Sequence, residues 1–214
     1  SRAADNLFWL GRYIVRFEDA ARMLRAYHRR LATSSVAEDA RLAHLAKTLT
    51  ALGIDPGQPV PDGLSQRLDA ARSCAARIRD RFSIDGWDAL DDLWRSLSRM
   101  RRTTAPGDDA ARAMGELLRK VAAFSGIVSD NMYRFSGWRF LALGRAIERA
   151  DAVSALLADC ARPASGEDRL DLALELADSA MAHRRRHAIV ATRGSVTDLL
   201  GLDAGNPRAL VYLV

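Results

Sequence analysis

The chain has 214 residues, 49% of them hydrophobic and 28% charged, with two cysteines and a formal net charge of +5. That composition excludes intrinsic disorder, collagen-like repeats and a disulfide-stapled scaffold. A chain of this length buries roughly 70% of its unfolded surface and needs no metal or disulfide staple. No apolar run approaches the ~20 residues of a membrane span, and Arg12, Arg16, Glu18 and Asp19 interrupt the first apolar stretch, so neither a membrane segment nor a signal peptide is visible. Cys74 and Cys160 form no Cys-x-x-Cys pair; two free thiols in a reducing cytoplasm is the simplest reading. Only Lys47 and Lys120 are lysines, so arginine carries nearly all the positive charge. The arginine excess suits an acidic or phosphate-bearing partner, but it equally suits a GC-rich genome. A net +5 is small beside dedicated nucleic-acid binders, and no nucleic-acid partner is expected. The start at Ser1 and the apolar run 209–214 point to part of a longer gene product.

Strand-like alternation is absent, and Ala, Leu and Arg dominate. The first helix is predicted over about Ala3 to Leu31, with Leu7, Leu10, Ile14, Phe17, Ala21, Leu24 and Tyr27 on its apolar face. Ser35 and Glu38 form a capping box for a second helix that stops near Gly53. Pro56, Pro59 and Pro61 mark a loop, and a third helix follows over about Leu64 to Phe82. Ser83 or Asp85 caps a fourth, from Trp87 to Arg102. Pro106-Gly107-Asp108 breaks it from a fifth, about Asp109 to Tyr133. Ser136-Gly137 reads as a turn before a sixth, Trp138 to about Cys160. Ser165 with Asp168 resembles a cap for a seventh, about Glu167 to Thr192. Asn206-Pro207 reads as an N-cap with proline at the first position of a last helix. The expectation is all-α: one domain, 1–214, an antiparallel bundle of about seven to eight helices.

The chain repeats itself. The segment Leu10-Gly11-Arg12-Tyr13-Ile14-Val15-Arg16-Phe17-Glu18 aligns without a gap on Leu143-Gly144-Arg145-Ala146-Ile147-Glu148-Arg149-Ala150-Asp151. In each copy two arginines four apart share a helix face, and the glycine admits a close neighbour. Glu148 falls three residues after Arg145, and Asp151 three after Glu148. Two readings fit these residue types. One is a set of ion pairs holding a pseudo-symmetric bundle together. The other is a polar site in which arginines bind an anion and a carboxylate orients or deprotonates a partner.

At these residues the chain resembles the alpha-E family, bacterial helical proteins named for a Glu-Arg motif. The resemblance rests on three blocks: residues Ser1 to Tyr13, residues Gly137 to Asp151, and Asp198-Leu199-Leu200 with Asn206-Pro207-Arg208. This chain departs from the pattern at Val15 and Phe17, where the first copy normally carries Glu and a small residue. Members usually continue beyond the last block, so the resemblance implies a missing C-terminal end. It also implies a setting. Alpha-E proteins stand beside, or are fused to, circularly permuted ATP-grasp proteins, often with a transglutaminase-like protease nearby. The implied role is a helical partner domain of an amide (peptide) ligase, with ATP and Mg on the ligase and no cofactor of its own.

On that reading Arg145 and Arg149 bind an anionic group, and Glu148 orients Arg145 or receives a proton from an attacking amine. Arg12, Glu18 and Asp151 complete the site, with Arg208 nearby. An independent amide-acting enzyme and a pure scaffold are the alternatives. His183 and His187 have metal-ligand spacing, but Arg184, Arg185 and Arg186 lie between them and no carboxylate precedes either at three or four residues, so no metal is expected. The same run, Arg184 included, is either a solvated face or a phosphate contact. Asn206, opening a helix, is either a cap or part of an anion site. Arg99, Arg101 and Arg102 suit a helix C-terminus. Trp9, Trp87, Trp94 and Trp138 are expected in the core. No glycine-rich nucleotide loop and no nucleophile motif is present.

Overall fold

The structure, a computed structural model, describes residues 2–33, 40–163, 165–187 and 190–214. Its described residues form ten α-helices and no strand. They divide into two compact units, Ser1–Arg145 and Ala146–Val214.

In the first unit, helix α1 (Arg2–Thr33) is the central element and packs against α2 (Ala40–Ala51), α3 (Asp62–Ala76) and α5 (Asp108–Asn131). A surface helix needs one apolar stripe; α1 is buried on more than one side. Beyond the expected Leu7, Leu10, Ile14, Phe17, Ala21 and Leu24, it also buries Val15, Ala20, Ala26 and His28. Tyr27, expected on the apolar face, is only half-buried, and fully buried His28 takes that place. Each large side chain so buried contributes about 1.5–3 kcal/mol. The Ser35–Glu38 capping box lies outside the described residues. Helix α2 ends in a Schellman turn: Ile54 N–H donates to Leu49 O at 2.9 Å, Gly53 N–H to Thr50 O at 2.9 Å, and Gly53 takes φ +71°.

Helix α3 stops at Ala76, short of the predicted Phe82, and a single 3-10 turn covers Arg79–Arg81. Helix α4 (Ile84–Thr103) is capped by Ser83, whose Oγ accepts from Gly86 N–H at 3.1 Å. Its last turn carries Arg101 and Arg102, as a helix C-terminus favours. Helices α3 and α4 are joined by arginine and tryptophan. The Arg72 guanidinium sits 4.5 Å from the Trp94 ring centroid and 5.5 Å from that of Trp87, and bonds Asp91 at 2.8 Å. Trp94 Nε1 donates to Asp69 at 2.7 Å. The tryptophans are therefore boundary residues and not core: Trp87, Trp94 and Trp138 are half-buried, and Trp9 is 40% exposed. An indole N–H wants a polar partner, which the dry core does not offer.

Helix α6 (Ser136–Cys160) begins at Ser136, so Ser136-Gly137 opens a helix and is not a turn. In the second unit the predicted seventh helix is broken. Helix α7 (Glu167–Leu176) ends where Asp178 adopts φ 53° and Ser179 N–H reaches back to Leu174 O at 2.8 Å. That left-handed stop is usually glycine's, which is why the break was not legible. Gly166, and not Ser165, sits at the cap position of α7; Ser165 Oγ instead donates to Asp159 O at 2.6 Å. Helix α8 (Ala180–Arg186), helix α9 (Arg193–Thr197) and a π-helical turn over Asp198–Leu202 follow, and α10 (Leu210–Leu213) comes last. Val153, Leu170, Leu174, Val196, Leu199 and Leu200 lie in this unit's core.

Candidate functional site

The two motif copies meet at their glycines. A Cβ on Gly11 would overlap the Leu141 carbonyl oxygen and lie 3.0 Å from Arg145 N. A Cβ on Gly144 would overlap the Phe8 carbonyl oxygen and lie 3.3 Å from Arg12 N. In both directions the neighbours stand three residues before and one residue after the partner glycine. The contact is therefore reciprocal, as at a local two-fold axis, and only glycine on both sides permits the approach. Arg12 and Arg145 each leave the crossing one residue after their own glycine. The structure thus brings these two predicted site residues to one place in the first unit.

The α1 side of the crossing is a face of arginines and rings. Phe8, Trp9, Arg12, Tyr13 and Arg16 recur at helical spacing. The Arg12 guanidinium lies 5.9 Å from the Phe8 ring centroid and 5.7 Å from that of Trp9. Arg16 lies 5.8 Å from Trp9 and 5.6 Å from Tyr13, and these two rings stack at 5.6 Å. Cation–π seating holds the guanidiniums against the helix at about 0.5–1 kcal/mol per contact at such exposed rings. Sequence reasoning named the arginines and missed the rings that seat them. The i, i+3, i+4 spacing of Phe8 and Trp9 to Arg12, and of Trp9 and Tyr13 to Arg16, was the signal available.

Glu18, one and a half turns beyond Arg12, is 5% exposed and bonded by Arg22 Nη2 at 3.0 Å. A carboxylate and guanidinium this dry stand or fall together. The Glu of the Glu-Arg pattern has Val15 as its counterpart in the first copy, and Val15 is fully buried. The copies are thus equivalent in backbone and unequal in chemistry.

Glu148, Arg149 and Asp151 belong to the second unit, on the continuation of α6. Glu148 and Arg149 are half-buried and Asp151 is exposed. Arg184 is exposed in the last turn of α8 and makes no ion pair among the described residues; its neighbour Arg186 is bonded to Asp203. Gly205 N–H, ahead of Arg186, holds the Asp203 carboxyl below the usual carboxylate range.

Asn206 is not a helix cap, because no helix opens at Pro207; α10 starts at Leu210 with Ala209 before it. Asn206 is buried instead. Its Nδ2 donates to Leu199 O at 2.9 Å and to Ser179 Oγ at 3.4 Å, and its Oδ1 accepts from Arg208 N–H at 3.0 Å. It ties the π-helical turn to the α7–α8 corner, and the helix N-terminus expected there is replaced by these bonds. Arg208 is half-buried behind it.

The two histidines form a structural pair. His183 is buried, its Nε2 lies 2.7 Å from Ser195 Oγ, and its ring stacks on His187 at 5.1 Å. Burial, then the neighbouring His187, lowers its pKa. Ser195 Oγ also accepts from Thr192 N–H at 3.0 Å and closes the α9 capping box. Both thiols, Cys74 and Cys160, are buried, which raises their pKa and keeps them inert. Among the described residues no helix is long and apolar enough to cross a membrane.

A helical protein with a reciprocal glycine crossing and a Glu-Arg pair on one of the crossing helices is thereby defined. The chain belongs to the Alpha-E family, described as a predicted alpha-helical domain with a conserved ER motif, which matches residues 1–214. Glu148-Arg149 is that pair here. Uncharacterised proteins of Mycobacterium bovis and of Mycobacterium tuberculosis are 28% identical over 252 residues, covering 99% of this chain and 28% of theirs. The chain thus spans little more than a quarter of the length of these relatives. No solved structure matches the chain.

Proposed function

We propose that this chain is the helical partner domain of an ATP-dependent amide ligase of the ATP-grasp type, working in the cytoplasm. The observation that carries the reading is the reciprocal crossing of Gly11 and Gly144, which brings the backbones at Arg12 and Arg145 together in one unit. Two guanidiniums from one crossing suit a doubly charged oxyanion better than a single carboxylate. An ATP-grasp ligase makes such a group: the substrate carboxylate takes the terminal phosphate of ATP, and an amine then displaces phosphate to form the amide. Arg12 and Arg145 bind that acylphosphate or its carboxylate precursor. Glu148, three residues along α6, orients Arg145 or takes the proton of the attacking amine, and Arg149 adds a second charge. ATP and Mg belong to the ligase. Relatives several times longer support a domain that acts beside other catalytic parts; a transglutaminase-like protease is a further member of the proposed system.

The test is ADP release by the neighbouring ATP-grasp protein over a panel of amino acids, with and without this chain. The expected result is release that appears, or rises at least tenfold, only in the mixture. Amide turnover by this chain alone would instead identify an independent enzyme. No change across the panel, with turnover by neither, would leave a scaffold.

A further inference from the structure

The first unit holds a second charged site, away from the glycine crossing. The C-terminal part of α1, the end of α4 and the first half of α5 line an open cavity of about 820 Å³. That volume falls within the range of ligand sites. Five arginines face it from three helices: Arg25 and Arg29 from α1, Arg99 from α4, and Arg112 and Arg119 from α5. Helix C-termini attract arginine for structural reasons, which accounts for Arg29 at the end of α1 and Arg99 near the end of α4. It does not account for Arg112 and Arg119, which stand in the body of α5.

The ion pairs among the described residues of the groove leave Arg29 and Arg119 over. Asp109 accepts from Ala105 N–H at 2.9 Å and from Arg112 at 3.1 Å, and the Ala105 bond leads in holding its carboxyl below the usual range. Glu116 meets Arg99 at a long 3.7 Å. Arg29 and Arg119 are exposed and make no ion pair among the described residues. Thr103 and Thr104 add hydroxyls, and Met100 and Ala113 give an apolar floor.

Spacing and mixed charge together bear on the ligand. At 1.5 Å per residue, Arg112 and Arg119 are about 10 Å apart along α5, and Arg25 and Arg29 about 6 Å apart along α1. Two arginines four residues apart can close on one phosphate, so Arg25 and Arg29 alone do not choose the ligand; the longer step from Arg112 to Arg119 favours a ligand with several charges. An extended peptide, rising about 3.3 Å per residue, places alternate side chains roughly 6.6 Å apart, close to the step from Arg25 to Arg29, and every third side chain about 10 Å apart, close to the step from Arg112 to Arg119. The mixed charge also favours a peptide over a polyphosphate. A polyphosphate offers acceptors only and would set its oxygens against Asp108 and Glu116. A peptide brings backbone N–H donors for those carboxylates and side-chain carboxylates for the arginines.

We propose that this groove binds an extended acidic segment of another polypeptide, with Glu or Asp at alternate positions. The site is independent of Arg12 and Arg145, so failure of the ligase reading leaves it standing. The probe is a fluorescein-labelled peptide of alternating Glu and Gly, titrated by anisotropy at low ionic strength, where exposed charges are least screened. Saturable binding is expected. Arg29→Glu and Arg119→Glu should each weaken it roughly tenfold or more. Arg185→Glu, an exposed arginine of α8 with the same change in net charge, should alter it less than about twofold. Arg29→Gln and Arg119→Gln, with circular dichroism unchanged, repeat the test without new repulsion. No saturable binding, or equal weakening by Arg185→Glu, overturns the proposal. So does inorganic tripolyphosphate that competes for the groove more tightly than the peptide.

Discussion

The two copies of the Leu-Gly-Arg motif share a backbone role and differ in what they carry. At the crossing they are interchangeable: each glycine faces the same two positions of the other helix. One turn later they part. The first copy places Val15 in the core, and Glu18 is buried against Arg22; in the second copy Glu148 is half-buried and Asp151 exposed. The difference teaches that a shared backbone role does not carry a shared side-chain environment: the carboxylate of the first copy is buried, and those of the second are half-buried or exposed. Glu148 therefore has no carboxylate counterpart in the first copy, where Val15 stands.

The sharpest way to break the comparison is at its shared point. Gly144→Ala and Gly11→Ala each force a methyl into opposing backbone, which cannot move aside as a flexible side chain would. A loss of about 3 kcal/mol or more is expected for each in urea unfolding. Gly126→Ala in α5, where a Cβ meets nothing within 4 Å, should instead stabilise by up to about 1 kcal/mol. Similar losses at all three would deny the crossing its special status.

The next test compares the carboxylates. Glu18→Ala removes a buried carboxylate bonded to Arg22 in a nearly dry setting, and should cost about 3 kcal/mol. Exposed Asp151→Ala should cost less than about 1 kcal/mol by the same denaturation measurement.

The same helix that supplies the first copy also carries a pH-dependent core. Burial pushes the His28 pKa down to about 4, and His28 Nδ1 accepts Gly107 N–H at 3.4 Å. A histidine with a lowered folded pKa binds fewer protons folded than unfolded. Its contribution is complete above about pH 6.5 and is lost as pH falls toward 4, amounting to up to about 3 kcal/mol. His28→Gln should flatten the fall in stability between those values; an unchanged pH profile would contradict the account.

The helices were legible because α-helical periodicity is local. Leu10, Ile14, Phe17 and Leu24 announced α1, and Ser83 was one of two caps the sequence offered for α4. The failures have physical causes. Asp178 stops a helix in a conformation usually given to glycine, so the break between α7 and α8 left no signal. Asn206-Pro207 has the local signature of a helix start, yet the Asn206 amide is used in a buried strut to Leu199 and Ser179. At the candidate site the repeat disclosed the arginines. The reciprocity of Gly11 and Gly144 depends on which helices touch, which no single helix encodes. The same holds for the arginine groove, whose members come from three helices. Its α4 member, Arg99, was explained in the sequence by the helix end alone.

The proposed role of Arg145 is to hold a ligand. The most direct measurement sets thermal unfolding beside stimulation of the partner ligase for Arg145→Met, which keeps much of the volume and removes the charge. A ligand role predicts stimulation reduced about a hundredfold, equivalent to roughly 2.7 kcal/mol of lost interaction, in a variant that still folds and melts cooperatively. Intact stimulation with a large fall in melting temperature would contradict it and make the arginine a structural strut.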